Sequence, residues 1–392
     1  MRSICCAVLL ALAVPVLAAD PAVSDSVKPF VERDAVAGAV LAVAGPEKTH
    51  ALEAVGFADR ENKVAMTTDR LFWIASMTKP MTAAALLMLV DEGKVKLDDP
   101  IEKYLPEFKS AMVIGELGKD TVLLKKPKRA PTLRDCLRHT SGMPFGSVLD
   151  TPTIDAVLLR DAVRVYAITP LTYEPGTKHV YSNAGINTAG RVVEVVSGMS
   201  YEEFMAKRLF APLGMTDTTW RPAGDALKRV AKTYTPTKDG KSLEPMPIRP
   251  LLYPLSDAKR QPCPGGGLFS TAKDVTAFGQ MILRGGTGPD GKRLLSADAV
   301  RELTGTQTDD LLNKGKGEGG YGLGFSTTRK AKADGPAVAG PCGHGGAYAT
   351  NLWIDPDKKL VLVYMVQHAG FANDGGKARG AFEKAAADLY AK

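Results

Sequence analysis

Residues 72–93 read FWIASMTKPMTAAALLMLVDEG, and the fold follows from how this stretch is covered. From Met77 to Val90 apolar and small residues leave almost no polar face, which predicts a helix over 76–92. A helix that is apolar all round lies in the middle of a domain, not on its surface. Gly93 terminates it, and Pro80 falls close enough to the first turn to be tolerated. Such a helix needs layers on every side, and both ends of the chain supply them. Upstream, Gly38–Val43 and Ala51–Phe57 are β-prone runs joined by a turn containing Gly45-Pro46, which predicts a hairpin. Downstream of 265, Thr271 caps a helix running to Leu283. Strands are expected at Gly322–Ser326, Tyr348–Ile354 and Leu360–Val366, and a last helix at Gly380–Tyr390. Between 95 and 262 the texture differs: helical segments alternate with proline-rich loops. Thr132 opens one helix, Ala184–Val196 forms another closed by Gly198, and Ser200 with Glu203 spells a capping box. The expected fold is α/β (α+β): an antiparallel sheet flanked by helices, built from 19–94 and 265–392, with a mostly helical domain, 95–264, inserted.

The 392 residues are 45% hydrophobic and 24% charged, the balance of an ordinary globular protein. Residues 1–18 stand apart. Arg2 gives a positive start, Ala7 to Leu17 are apolar except at Pro15, and Val16-Leu17-Ala18 offers small residues for cleavage. This reads as a signal peptide, hence a secreted, periplasmic protein. The run is too short to span a bilayer and no later run is long enough. The formal charge is +7, and its densest cluster, Lys125-Lys126-Pro127-Lys128-Arg129, has no interleaved aromatics; it reads as a solvated loop, and no nucleic-acid partner is expected. Cys136, Cys263 and Cys342 do not make a disulfide framework, although one bridge, Cys263–Cys342, can form in an oxidising compartment. The five histidines (50, 139, 179, 344 and 368) lack ligand spacing, so no metal or other cofactor is expected. Gly315–Gly320 matches G-x-G-x-x-G, but without a preceding strand or a following apolar helix it does not predict dinucleotide binding. The sequence leaves the oligomeric state open.

Three short stretches can carry chemistry. In the first, Ser76 and Lys79 stand at i and i+3 on one helix face, within about 5–6 Å at Cβ. A serine hydroxyl becomes a nucleophile only when a base takes its proton. A lysine serves if burial against an apolar helix, at the positive end of the helix dipole, lowers its pKa. The second is Tyr181-Ser182-Asn183, after the turn Glu174-Pro175-Gly176. There Tyr181 can share or relay the Ser76 proton and Asn183 can hold Lys79 or a substrate amide; the plainer alternative is a helix cap beside a packed tyrosine. The third is Gly343-His344-Gly345-Gly346-Ala347. Its glycines allow close approach at a strand edge, the Ala347 N–H can face a carbonyl oxygen, and His344 can donate to substrate or steer the Tyr181 proton. The alternative is a turn with a surface histidine.

In this order the chain resembles the serine β-lactamase and penicillin-binding superfamily, and within it the class C β-lactamases and their esterase relatives, often called family VIII esterases. The resemblance is carried over nearly the whole mature chain by Phe72–Lys79, Leu137-Arg138-His139-Thr140-Ser141-Gly142, Tyr181-Ser182-Asn183, Gly265-Gly266-Gly267-Leu268-Phe269-Ser270 and Tyr321-Gly322-Leu323-Gly324. It implies Ser76 as the acylated nucleophile, Lys79 as its proton partner, Tyr181 as general base, Asn183 orienting substrate and lysine, and an oxyanion hole from the N–H groups of Ser76 and Ala347, with His344 and Gly346 lining the substrate side. One departure matters. The β-lactamases of this type carry Lys-Thr-Gly in the third motif, where this chain has His344-Gly345-Gly346. A lysine there suits a β-lactam carboxylate, whereas a histidine of ordinary pKa is mostly neutral at pH 7. The expected activity is therefore hydrolysis of small carboxylic esters through an acyl-enzyme. The alternatives are a β-lactamase or D-alanyl-D-alanine carboxypeptidase acting on β-lactam or peptide-like substrates, and a non-catalytic protein that binds penicillin or wall fragments.

Overall fold

Strands from the two ends of the chain interleave in one antiparallel sheet. In this computed structural model residues 22–251, 253–308, 311, 319–328 and 340–391 are described; the segment read as a signal peptide and most of the Gly315–Gly320 loop lie outside the described residues. The sheet strands are β1 (Gly38–Ala44), β2 (Thr49–Asp59), β3 (Val64–Ala65), β4 (Gly320–Tyr321), β5 (Ser326–Thr327), β6 (Cys342–Gly345), β7 (Asn351–Asp355) and β8 (Leu360–Met365). Their order is β4-β5-β6-β7-β8-β1-β2-β3. β1 pairs with β8 on one side, Val40 opposite Met365, and with β2 on the other, Val40 opposite Ala54.

Both faces of β1 and β8 are buried, so these strands are apolar throughout although the sheet is antiparallel. Val40, Ala42, Val361 and Val363 point to one side, into the main core with the helix α1 (Thr78–Asp91). Leu41, Val43, Leu362 and Tyr364 point to the other and pack with Val23, Phe30, Phe382 and Ala386. The helix α2 (Asn183–Ser197) lies against α1. The helix α3 (Ala272–Leu283), capped by Thr271, rests on β1, β7 and β8. The final helix α4 (Ala378–Tyr390) covers β8 from the far side. The main core runs without a break from the sheet through α1 into α2, joining Val363 and Leu86 to Ile186 and Val192.

Three local expectations change. The expected strand Gly322–Ser326 is mostly a turn: the chain turns at 322–325 and only Ser326 lies in a strand, β5, with Gly324 at φ +80° and a Cβ there 3.0 Å from the Lys79 carbonyl oxygen. Only a residue without a side chain fits that approach. The middle of the chain is less purely helical than its composition suggests, because Val113–Leu117 pairs with Val122–Lys125 and Thr233–Pro236 with Leu243–Met246. Finally, Cys136, Cys263 and Cys342 are all buried free thiols, so the bridge between Cys263 and Cys342 is not formed.

Candidate active site

Ser76 sits in a short 3-10 turn, Ala75–Met77, that leads into α1. Ala75 takes φ +44°, a conformation that side chains disfavour by about 1–3 kcal/mol. The surroundings hold it there. The Trp73 N–H donates to Gln367 Oε1 (3.0 Å), the Ile74 N–H to the Leu268 carbonyl (3.0 Å), and Thr78 Oγ1 to the Ala75 carbonyl (2.7 Å). The Trp73 indole N–H donates to the Gly266 carbonyl at 2.8 Å. Behind the turn, a Cβ on Gly346 would lie 2.6 Å from the Ile74 carbonyl oxygen and 2.1 Å from Thr350 Oγ1, so the third motif touches the first through a glycine.

Lys79, one turn on, is fully buried. Its Nζ donates to Ser76 Oγ at 3.0 Å and to the Gly265 carbonyl at 2.5 Å. Among the described residues it makes no ion pair. Burial without a carboxylate penalises the ammonium, and its pKa falls to about 7. The Tyr181 ring lies 4.7 Å from the same Nζ. Burial pushes the Tyr181 phenol up to about 12, opposed by the Ser76 hydroxyl beside it. Tyr181 Oη is 3.5 Å from His344 Nε2. Burial and then the nearby Lys79 push the His344 imidazole down to about 3. The sequence offered a surface histidine as one reading; this ring is buried on β6.

The remaining candidates sit around these groups. Asn183 is the first residue of α2, and its Oδ1 is buried without a hydrogen-bond partner among the described residues. It stands 3.2 Å from where a Cβ on Gly265 would be. Lys79 is held by the Gly265 carbonyl, not by Asn183. Ala347 is exposed in the turn after β6. Neither the Ala347 nor the Ser76 N–H meets an acceptor among the described residues, which leaves both amides open to a ligand oxygen. Ser76, Lys79, Tyr181 and His344 are thus linked contact by contact, with Asn183, Gly346 and Ala347 on their border. The arrangement brings together a hydroxyl, a buried amine of lowered pKa and two N–H groups without acceptors among the described residues.

The sequence model of the Beta-lactamase family matches residues 23–386. The chain belongs to the β-lactamase family. The protein Rv1367c of Mycobacterium tuberculosis (strain ATCC 25618 / H37Rv) is 33% identical over 364 residues, 88% of each chain. Penicillin-binding protein 4 of Amycolatopsis lactamdurans is 35% identical over 262 residues, 67% of this chain and 63% of that one. Among solved structures, EstCE1, described as a hydrolase with promiscuous acyltransferase activity, superposes with a TM-score of 0.72 at 22% identity, covering 93% of this chain and 97% of its own. The family is one of serine hydrolases, and the sheet-and-helix architecture is its fold.

Within this β-lactamase fold some supporting residues were given no site role by the sequence. Asn187, one turn after Asn183, accepts from the Gly265 N–H at 2.8 Å and so places the carbonyl that receives Lys79. His139 and Tyr321 form hydrogen bonds behind Tyr181 and His344. The family-like runs around Gly265, His139 and Tyr321 were the available signal, but a run of letters does not say which atom it presents. Among the described residues no cluster of His, Cys, Asp and Glu is arranged to hold a metal ion, and no helix is long and apolar enough to cross a membrane.

Proposed function

We propose that the protein is an exported hydrolase that cleaves small, uncharged carboxylic esters through an acyl-enzyme on Ser76. The observation that carries the reading is the 3.0 Å contact from a buried amine, its pKa near neutrality, to the Ser76 hydroxyl. A general base works best when its pKa lies near the working pH. Neutral Lys79 takes the Ser76 proton as Oγ attacks the ester carbonyl carbon. The oxyanion develops between the N–H groups of Ser76 and Ala347, each worth about 3–4 kcal/mol where a preorganised donor meets that charge. Tyr181 is the general base that the resemblance implies, but with burial pushing its phenol up to about 12 it stays protonated at neutral pH, so in this reading Lys79 takes that role and Tyr181 gives its proton to the departing alkoxide and recovers one from the Lys79 ammonium. Water then attacks the acyl-enzyme carbonyl carbon as Lys79 takes its proton, the bond from that carbon to Ser76 Oγ breaks, and the Lys79 ammonium gives the proton to the departing Oγ, 3.0 Å away, restoring both groups.

The preference for neutral esters rests on His344. It is buried and uncharged, so the third motif offers no fixed cation to a substrate carboxylate. The fold neighbour EstCE1, described as a hydrolase with promiscuous acyltransferase activity, is in keeping with an acyl-enzyme. Export rests on the apolar run 7–17, and N-terminal sequencing of the periplasmic fraction tests it. The main experiment sets p-nitrophenyl butyrate beside nitrocefin and a D-alanyl-D-alanine peptide. The ester is expected to turn over fastest, Ser76→Ala to cut the rate at least ~10³-fold, and an acylating probe to label Ser76. A faster β-lactam or peptide reaction refutes the substrate class, and an undiminished Ser76→Ala refutes the mechanism.

A further inference from the structure

Behind the site runs a chain of four hydrogen bonds whose direction is fixed at both ends. The Ser182 N–H lies 3.2 Å from His139 Nδ1. His139 Nε2 lies 3.0 Å from Tyr321 Oη, and the same oxygen lies 3.0 Å from His344 Nε2. His344 Nδ1 lies 2.7 Å from the Gly345 carbonyl. A backbone N–H only donates and a carbonyl only accepts. His139 therefore accepts at Nδ1 and, as a neutral ring, carries its proton on Nε2. His344 donates from Nδ1 and leaves Nε2 bare. Between them the Tyr321 hydroxyl accepts from His139 and donates to His344. These tautomers are assigned from the network. Burial keeps both rings neutral, His139 being held well below the usual histidine range. His139, Tyr321 and His344 are each less than 8% exposed, which shields the chain from water that would reverse it.

The consequence falls on Tyr181. Its hydroxyl is 3.5 Å from the single lone pair of His344 Nε2, which Tyr321 already occupies at 3.0 Å. We propose that His139 and Tyr321 are positioning residues: with His344 they form a one-way strut that satisfies the imidazole from behind, so that the Tyr181 proton stays directed at Ser76 and the leaving group. The strut also ties the segment of Tyr181 and Ser182, at the entry to α2, to the strand that leads into Gly346 and Ala347. Neither His139 nor Tyr321 touches the reacting atoms. The catalytic half of this inference rests on the acyl-enzyme reading; the hydrogen-bond direction does not.

Two measurements test it separately. Ring ¹⁵N spectra of histidine-labelled protein, assigned through contacts to the Tyr321 ring, are expected to show His139 protonated on Nε2 and bare on Nδ1, and His344 the reverse. The opposite tautomer on either ring overturns the strut. This needs no substrate and no variant, so it decides whether or not the ester reading holds. The second uses Tyr321→Phe, which removes one oxygen and keeps the ring. The freed His344 Nε2 then draws the Tyr181 hydroxyl, and kcat on the nitrophenyl ester is expected to fall about tenfold or more with KM within about threefold. A kcat within about twofold of wild type, or a loss carried by KM, overturns the positioning role. Undiminished turnover by Ser76→Ala would instead indict the acyl-enzyme while leaving the tautomers to stand.

Discussion

Lys79→Met separates what the amine does for chemistry from what it does to the fold. An unfolded lysine titrates at 10.5, whereas this buried one titrates at about 7. At 1.36 kcal/mol per tenfold change in proton affinity, holding its ammonium inside costs the native state about 5 kcal/mol at pH 6. Between pH 7 and 10.5 the unfolded chain binds more proton than the native one, so native stability rises with pH across that window. By pH 9 the folded amine is neutral and the remaining cost is about 2 kcal/mol. Methionine fills a similar volume and carries no charge, but it leaves the Gly265 carbonyl without its donor, a loss of about 1–3 kcal/mol. The variant should therefore be inactive and about 2–4 kcal/mol more stable than wild type at pH 6, and close to wild type at pH 9. Urea unfolding of both proteins at pH 6, 7, 8 and 9 measures this. A stability difference that stays flat from pH 6 to 9 refutes the lowered pKa, and the base assigned to Ser76 falls with it.

The same pKa should govern the rate: kcat/KM for a neutral ester should climb with pH, bend near 7 and then stay level, because Lys79 must be neutral and Tyr181, at about 12, stays protonated. A pH–rate profile bending near 4 or near 10 counts against Lys79. Gly346→Ala should push a methyl into the Ile74 carbonyl and the Thr350 hydroxyl; a stability loss of about 1–3 kcal/mol and at least a tenfold fall in ester turnover are expected, and wild-type kinetics would show that this contact does not shape the Ser76 turn.

The all-apolar face of α1 was legible because no other arrangement hides Met81, Leu86 and Leu89 together. The strands flanking it were legible for the same reason, as uninterrupted runs at Gly38 and Leu360. Ser76 and Lys79 could be paired because helical spacing fixes their distance locally. Gly265 as the acceptor for Lys79 could not, since a carbonyl has no side-chain identity and 186 positions separate the two. The 322–325 segment misled because Leu323 and Phe325 alternate with glycines as strand residues would. Gly324 instead takes φ +80° so that backbone can lie against α1. The direction of the His139–Tyr321–His344 bonds was hidden for a similar reason: it depends on the Ser182 amide and the Gly345 carbonyl, which every sequence supplies at every position.

The pairing of Val40 with Met365 sets a condition on biosynthesis. A ribosome delivers β1 long before the neighbour that closes its open edge, because Met365 follows Val40 by 325 positions. Until then an apolar ribbon waits with unpaired amides along one side, a template for wrong partners. Contacts between distant parts of a chain also form slowly. The codons of β8 thus decide when those of β1 become structure, and a polypeptide released short of β8 leaves that strand without a seam.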